Sequence, residues 1–143
     1  MKLYLDTSAL VSLYYPEACS ERVVALVARS PVPFSQLHEL EAKNALMLKV
    51  LRNEASPGAV QQTIAAIEED LKAGSLVRAR IDWPETFRAA IELASTHSRH
   101  VGSRSLDVLH VAVAQAIGAG RFVSLDDRQK ALAKEAGLDL ADV

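Results

Sequence analysis

The chain has 143 residues, 50% of them hydrophobic and 24% charged, a globular balance that excludes a disordered polymer and suffices for one buried core, so a single domain spanning residues 1–143 is expected. Its longest apolar runs, such as Val108 to Val113, fall far short of the roughly 18 residues needed to cross a bilayer. The N-terminus has no basic region followed by an apolar segment, so neither a membrane span nor a secretory leader is expected and the cytoplasm is the expected location. Cys19 is the only cysteine, which rules out an internal disulfide and a cysteine-based zinc site. The formal charge is −2, but setting four acids aside for cations would leave the remainder net positive, so a polyanionic partner is permitted.

Leu3, Tyr4 and Leu5 form a short β-prone run, and Asp6, Thr7 and Ser8 open a helix expected from Ala9 to Tyr15. Pro16 breaks that pattern, and a second helix is expected from Ala18 to Arg29. Pro31 to Ser35 has the look of an edge strand, given its prolines. Gln36 to Arg52 and Ser56 to Gly74 read as helices, the second started by Ser56–Pro57 and stopped by Gly74. Leu76 to Ile81 alternates apolar and basic residues as a strand with one wet face would. Pro84 opens a helix to about Ser98, a loop follows, and Leu106 to Ile117 is the most apolar helix. Phe122 to Leu125, Asp126 to Ala136 and Leu138 to Leu140 complete the series as strand, helix and strand. Such alternation predicts an α/β fold, a three-layer sandwich around a mainly parallel sheet of about four or five strands.

Four acids stand out against this layout. Asp6 follows the first strand, at the end where open parallel sheets place ligands; it also has the position of an ordinary helix cap. In the helix from Gln36, Glu41 and Asn44 fall within a stripe of Leu37, Leu40, Leu48 and Leu51, so Glu41 is expected to face inward and to need compensation for lost water. Asp107 lies in the first turn of the apolar helix, where free backbone N–H groups favour a negative charge. His110, one turn on, is a candidate support for Asp107, a substrate contact, or a core histidine. Asp126 repeats the strand-then-acid arrangement of Asp6 and fits a capping box with Gln129.

Four carboxylates in one pocket would repel one another without a cation. With oxygen ligands only, Mg²⁺ or Mn²⁺ is expected rather than zinc. Metal-assisted cleavage of a phosphodiester is the chemistry such a site would support. Arg104 and Arg128, beside Asp107 and Asp126, are the first candidates to hold substrate phosphates, although each would equally suit a solvated surface position.

LYLDTSALVSLYY, SQLHELEAKNAL, RSLDVLHVAVAQA and FVSLDDRQKALAKEAGL, in this order, resemble the PIN-domain ribonucleases, and among them the VapC-type toxins of toxin–antitoxin pairs. The resemblance spans essentially the whole chain. It implies a compact PIN-like α/β/α fold and endonucleolytic cleavage of RNA with Mg²⁺ or Mn²⁺. It further implies inhibition by a cognate VapB-type antitoxin, a homodimer, and contact with DNA only through the antitoxin. Asp6, Glu41 and Asp107 fall on the family's acidic motif positions, and Asp126 takes the last, with Asp127 competing for it. Thr7, Ser8 and Ser124 match hydroxyl positions near the metal and are candidate substrate contacts, although capping and turn hydrogen bonds would account for them equally well. No motif acid is missing. Leu10, Val11, Leu13, Tyr14 and Tyr15, with the helix Val60 to Leu71, are candidate apolar surface for a partner, although core packing would account for them too.

Two other readings remain at this level. A phosphoaspartate receiver also gathers acids at strand ends, but no lysine stands just after a late strand to meet the phosphate. A non-catalytic RNA- or protein-binding module would use the same acids as caps and ion pairs.

Overall fold

Leu3, Tyr4 and Leu5 form β1 (Leu3–Leu5), a fully buried strand beside which the others are laid. The computed structural model describes residues 2–15 and 20–143. The break expected at Pro16, the start expected for the second helix and Cys19 lie outside the described residues.

Asp6 ends β1 and caps α1 (Thr7–Tyr14), its carboxylate accepting from the Ala9 N–H at 3.0 Å. Then come α2 (Ser20–Val27), β2 (Val32–Phe34) and α3 (Gln36–Leu51). Ser56 caps α4 (Pro57–Ala73), which has proline in its first turn, and Gly74 closes it at φ 86°, a left-handed conformation that favours a residue without Cβ. β3 (Leu76–Arg78) is half as long as expected, and α5 (Trp83–Val101) outruns its expected end at Ser98 to the left-handed Gly102. α6 (Ser105–Ala116), β4 (Arg121–Val123), α7 (Asp127–Glu135) and β5 (Asp139–Leu140) complete the order.

All strand pairs are parallel. β4 lies between β1 and β5, with Leu3 opposite Arg121 and Leu5 opposite Val123, and β2 pairs with β3. β1 and β2 are neighbours, so the two ladders lie side by side as one layer. The period-two alternation of β1 divides the core between the faces of this layer. Tyr4 and Phe122 point to one side and pack with α5, α6 and α7, while Leu3, Leu5 and Val123 point to the other and pack with α1, α2 and α4. The result is the three-layer α/β/α sandwich. α6 is buried from Val108 to Ala114 without a break, as a helix apolar on every side must be.

Two expectations about faces are corrected. In α3 the buried residues are Leu37, His38, Ala42 and Leu46, whereas Leu40 is 64% and Leu51 75% exposed. The true inner stripe carries a histidine and an alanine, so it was less apolar than the leucine stripe beside it. Leu10, Val11, Val60 and Ile67 are core residues, so α1 and α4 do not offer them to a partner. No helix among the described residues is long and apolar enough to cross a membrane.

Candidate active site

The parallel register sets the site. Because Leu5 is opposite Val123, the residues that follow, Asp6 and Ser124, leave adjacent strands at the same end of the sheet. The Asp6 N–H donates to the Val123 carbonyl at 3.0 Å, extending the ladder by one bond. The two side chains then meet, Ser124 Oγ donating to Asp6 Oδ2 at 2.5 Å. Ser8 Oγ donates to Asp6 Oδ1 at 2.6 Å while accepting from the Leu125 N–H at 3.1 Å. Asp6 is only 4% exposed. Burial raises its carboxyl pKa, and the bonds from Ser124, Ser8 and the Ala9 N–H oppose that rise only in part.

A cleft of about 770 Å³ opens at this end of the sheet, lined by Asp6, Thr7, Ser8, Glu41, Arg104, Asp107, His110 and Asp126 together with residues of α3 from Leu40 to Lys49 and the capping Arg52 at its end. The four acids, Asp6 and Asp126 from the caps of α1 and α7, Glu41 from α3 and Asp107 from α6, therefore share one cleft. An adjoining hollow lined by Glu41, Arg104, Ser105, Asp107, Asp126 and Arg128 brings in the second arginine. Lys49 and Arg52 add positive charge along α3, and sequence reasoning had not singled them out.

Glu41 stands at the border between the inner and outer faces of α3. Its Oε1 accepts from Thr7 Oγ1 at 2.8 Å and is hydrogen-bonded to His110 Nε2. Burial raises the Glu41 pKa, but the bonds from His110 and Thr7 outweigh it and hold the carboxyl below its usual value. His110 thus supports Glu41, not Asp107. Its other ring nitrogen, Nδ1, is 2.6 Å from Tyr4 Oη. His38, not foreseen as part of this region, is wholly buried beneath it. His38 Nδ1 accepts from the Ser35 N–H at 3.0 Å, so Nε2 carries the proton and donates to the Leu5 carbonyl at 2.7 Å. That bond ties the start of α3 to the residue before Asp6. Burial depresses the His38 pKa to about 3, so it stays neutral. The spacing S-x-x-H at Ser35 was the legible signal, since the pair forms a reciprocal cap on α3.

Asp107 is held differently. It is half-buried in the first turn of α6, and its pKa is raised by burial first and then by the charges of Asp126 and Glu41. Asp126 caps α7 through Oδ1, which accepts from the N–H groups of Arg128 at 2.8 Å and Gln129 at 3.2 Å. The expected capping box does not close. The Gln129 amide instead donates to the Asp107 carbonyl at 3.1 Å, joining α7 to α6, and Ser124 Oγ accepts from the Asp126 N–H at 3.0 Å. Ser124 is thus a buried link between Asp6 and Asp126. Asp126, rather than Asp127, lines the cleft.

The donor set suits a hard divalent cation, being carboxylate oxygen with no sulfur and with the nearest histidine already engaged. The mutual effect of Asp107, Asp126 and Glu41 supplies the negative potential such an ion would neutralise. Among the described residues no three acidic or histidine side chains converge closely enough to enclose an ion. Asp6 is drawn toward Ser8 and Ser124 and Glu41 toward His110 and Thr7. Asp6 Oδ2 accepts only from Ser124 and keeps a second lone pair, and Glu41 Oε2 accepts no hydrogen bond among the described residues.

Comparison with solved structures gives the same architecture. VapC20 of Mycobacterium tuberculosis, described as a sarcin-ricin-loop-cleaving toxin, is 20% identical with TM-score 0.64, over 96% of both chains. VapBC2 from Rickettsia felis, solved bound to a DNA fragment from its promoter, is 16% identical with TM-score 0.65, over 99% of this chain and 98% of that one. FitAcB from Neisseria gonorrhoeae is 17% identical with TM-score 0.60, over 98% and 96%. No curated protein matches the sequence. The family model of the PIN domain matches residues 3–135, nearly the entire chain, and the protein therefore belongs to the PIN domain family.

Proposed function

We propose that this chain is a metal-dependent endoribonuclease and the toxin of a type II toxin–antitoxin pair. The observation that carries the reading is the single cleft that Asp6, Glu41, Asp107 and Asp126 line together, with Arg104 at its mouth and Arg128 in the adjoining hollow. In this reading Asp6 and Asp107 are the main ligands of Mg²⁺ or Mn²⁺, and Glu41 and Asp126 complete the acidic shell. The bound ion would supply an activated water and neutralise charge developing on the phosphodiester.

The chain's own residues do the rest. Ser8 and Ser124 fix the Asp6 carboxylate through both of its oxygens, and the amide of Gln129 fixes the α6 backbone at Asp107. Thr7 and His110 orient Glu41, which is half-buried and accepts hydrogen bonds as a carboxylate, the state needed to take a proton from an attacking water. Arg104, at the start of α6, lines the cleft with a guanidinium that can donate two hydrogen bonds to a phosphate at the mouth. Arg128 flanks the same mouth from α7, and Lys49 and Arg52 extend the positive rim along α3.

The relatives in complex with antitoxin or promoter DNA support a protein partner for this chain. Leu40 and Leu106, 64% and 41% exposed on the lips of the cleft, are apolar surface beside the acids that an antitoxin segment would cover. A homodimer, and DNA contact through the antitoxin alone, follow the same reading. A phosphoaspartate receiver is disfavoured because β4 runs into Ser124, Leu125 and Asp126 with no lysine.

The direct test is cleavage of cellular RNA by wild type and Asp107→Asn, with and without EDTA. Metal-dependent cutting by wild type that the variant lacks is expected. Cutting that survives EDTA, or full activity of the variant, would overturn the proposal.

A further inference from the structure

Tyr4, Thr7, Glu41 and His110 come from four different elements, β1, α1, α3 and α6, and form one connected set of hydrogen bonds under the cleft. Counting hydrogens assigns the donors. Tyr4 and His110 are 0% and 1% exposed, so water cannot satisfy them, and buried polar groups in folded proteins are nearly always paired. Among the described residues, the only hydrogen-bond partner of Tyr4 Oη is His110 Nδ1, at 2.6 Å. Were Nδ1 protonated, it would donate to the tyrosine, and the phenolic hydrogen would be left without an acceptor beside Phe122 and His38. If instead the phenol donates, Nδ1 is bare and the ring proton sits on Nε2, which faces Glu41 Oε1. Thr7 Oγ1 then gives its hydrogen to the same Oε1. Every hydrogen in the set has an acceptor in this arrangement, and Glu41 receives two.

We infer that His110 is a positioning residue of the site: its tautomer, set by Tyr4, directs an N–H at Glu41 Oε1 and fixes the carboxylate in one orientation, with Oε2 left for a cation or its water. The inference rests on the nuclease reading above, to which it adds a residue outside the acidic motif. Oε2 accepts no hydrogen bond among the described residues, while Oε1 takes both. This is the arrangement expected of a partner that orients a ligand from behind. The tyrosine stacks on Phe122 of the neighbouring strand with ring centroids 5.6 Å apart, so the hydroxyl that sets the tautomer is itself held by the core.

The test has two arms. On the metal-free protein, ¹⁵N NMR of the imidazole is expected to show a neutral His110 with a protonated Nε2 and a bare Nδ1. A ring protonated at Nδ1, alone or in addition, overturns the inference whatever the protein's activity. In the second arm, Mn²⁺ binding is followed by calorimetry for wild type, His110→Leu, His110→Gln and Tyr4→Phe, each checked for folding by circular dichroism. His110→Leu should weaken binding about 10- to 100-fold, the usual cost of losing such a partner. His110→Gln, which can still donate an N–H to Glu41, should recover most of that loss, and Tyr4→Phe should show a smaller loss than His110→Leu. Unchanged Mn²⁺ affinity in folded His110→Leu would overturn the inference and spare the nuclease reading. A wild type that binds no Mn²⁺ would overturn the nuclease reading, leaving the tautomer to judge the positioning role.

Discussion

Asp6 and Asp107 line the same cleft but are held in opposite ways. Asp6 is closed into the sheet, 4% exposed, with Ser8, Ser124 and the Ala9 N–H all donating to it. Asp107 is half-buried among negative neighbours, and the charges of Asp126 and Glu41 push its pKa up after burial itself. One acid is part of the architecture, and the other is a concentration of unfavourable charge that the architecture tolerates. Residues that hold a fold together and residues that store potential for a ligand can therefore be told apart by what removing them does to stability.

Substitution at either position should abolish RNA cleavage, by more than about 100-fold, since even partners behind a ligand cost about 10- to 100-fold. Stability should separate the two. Asp6→Ala leaves the Ser124 hydroxyl and the Ala9 N–H without their acceptor, and an unsatisfied buried group costs about 1–3 kcal/mol. Its metal-free Tm should fall. Asp107→Asn removes a repelled charge, and its metal-free Tm should rise. Equal shifts of the same sign in thermal unfolding would break the comparison.

Stability should also depend on pH in a way that sets these two aspartates apart from Glu41. The folded-state pKa values of Asp6 and Asp107 are both raised, so their contribution is complete below the unfolded value, about 4 for aspartate, and is lost as pH rises through the folded values. Glu41 has the opposite sign: its pKa is lowered, and its contribution is present above the unfolded value and lost as pH falls. Asp107→Asn should remove part of the decline seen on raising the pH from the carboxylate range to neutrality, and saturating Mn²⁺ should offset that decline in wild type.

Smaller effects lie around these acids. Gln129 is buried, its amide nitrogen bonded to the Asp107 carbonyl while its Oε1 has no hydrogen-bond partner among the described residues. Gln129→Met keeps the volume and removes that unpartnered oxygen, so urea unfolding should show a loss of no more than about 1 kcal/mol. Removing Arg104 and Arg128 together should weaken RNA binding without changing Mn²⁺ affinity. It should also flatten the dependence of log affinity on log salt, by about 0.7 for each phosphate of a single strand that the protein no longer neutralises.

The elements were largely legible because the alternation of short β-prone runs with helices leaves few arrangements for a parallel sheet, and Gly74 and Ser56 mark their boundaries with backbone chemistry. The acids were legible from position, Asp6 and Asp126 by their places after strands and Asp107 by its place in an apolar helix. The inner face of α3 was not. Periodicity ranks stripes by hydrophobicity, and the buried one runs through His38 and Ala42 while Leu40 and Leu51 point outward. His110 was visible as a polar residue needing a partner, but the choice of Glu41 over Asp107 depends on how α3 lies against α6, which local sequence does not encode. Gln129 shows the same limit. Its spacing from Asp126 satisfies a capping box, and a tertiary bond to Asp107 takes the side chain instead.

If acids from separate elements share one divalent cation, anomalous diffraction from a crystal soaked in Mn²⁺ should show a peak in the cleft within coordination distance of both Asp6 and Asp107. Mn²⁺ bound only elsewhere on the surface would rule that sharing out.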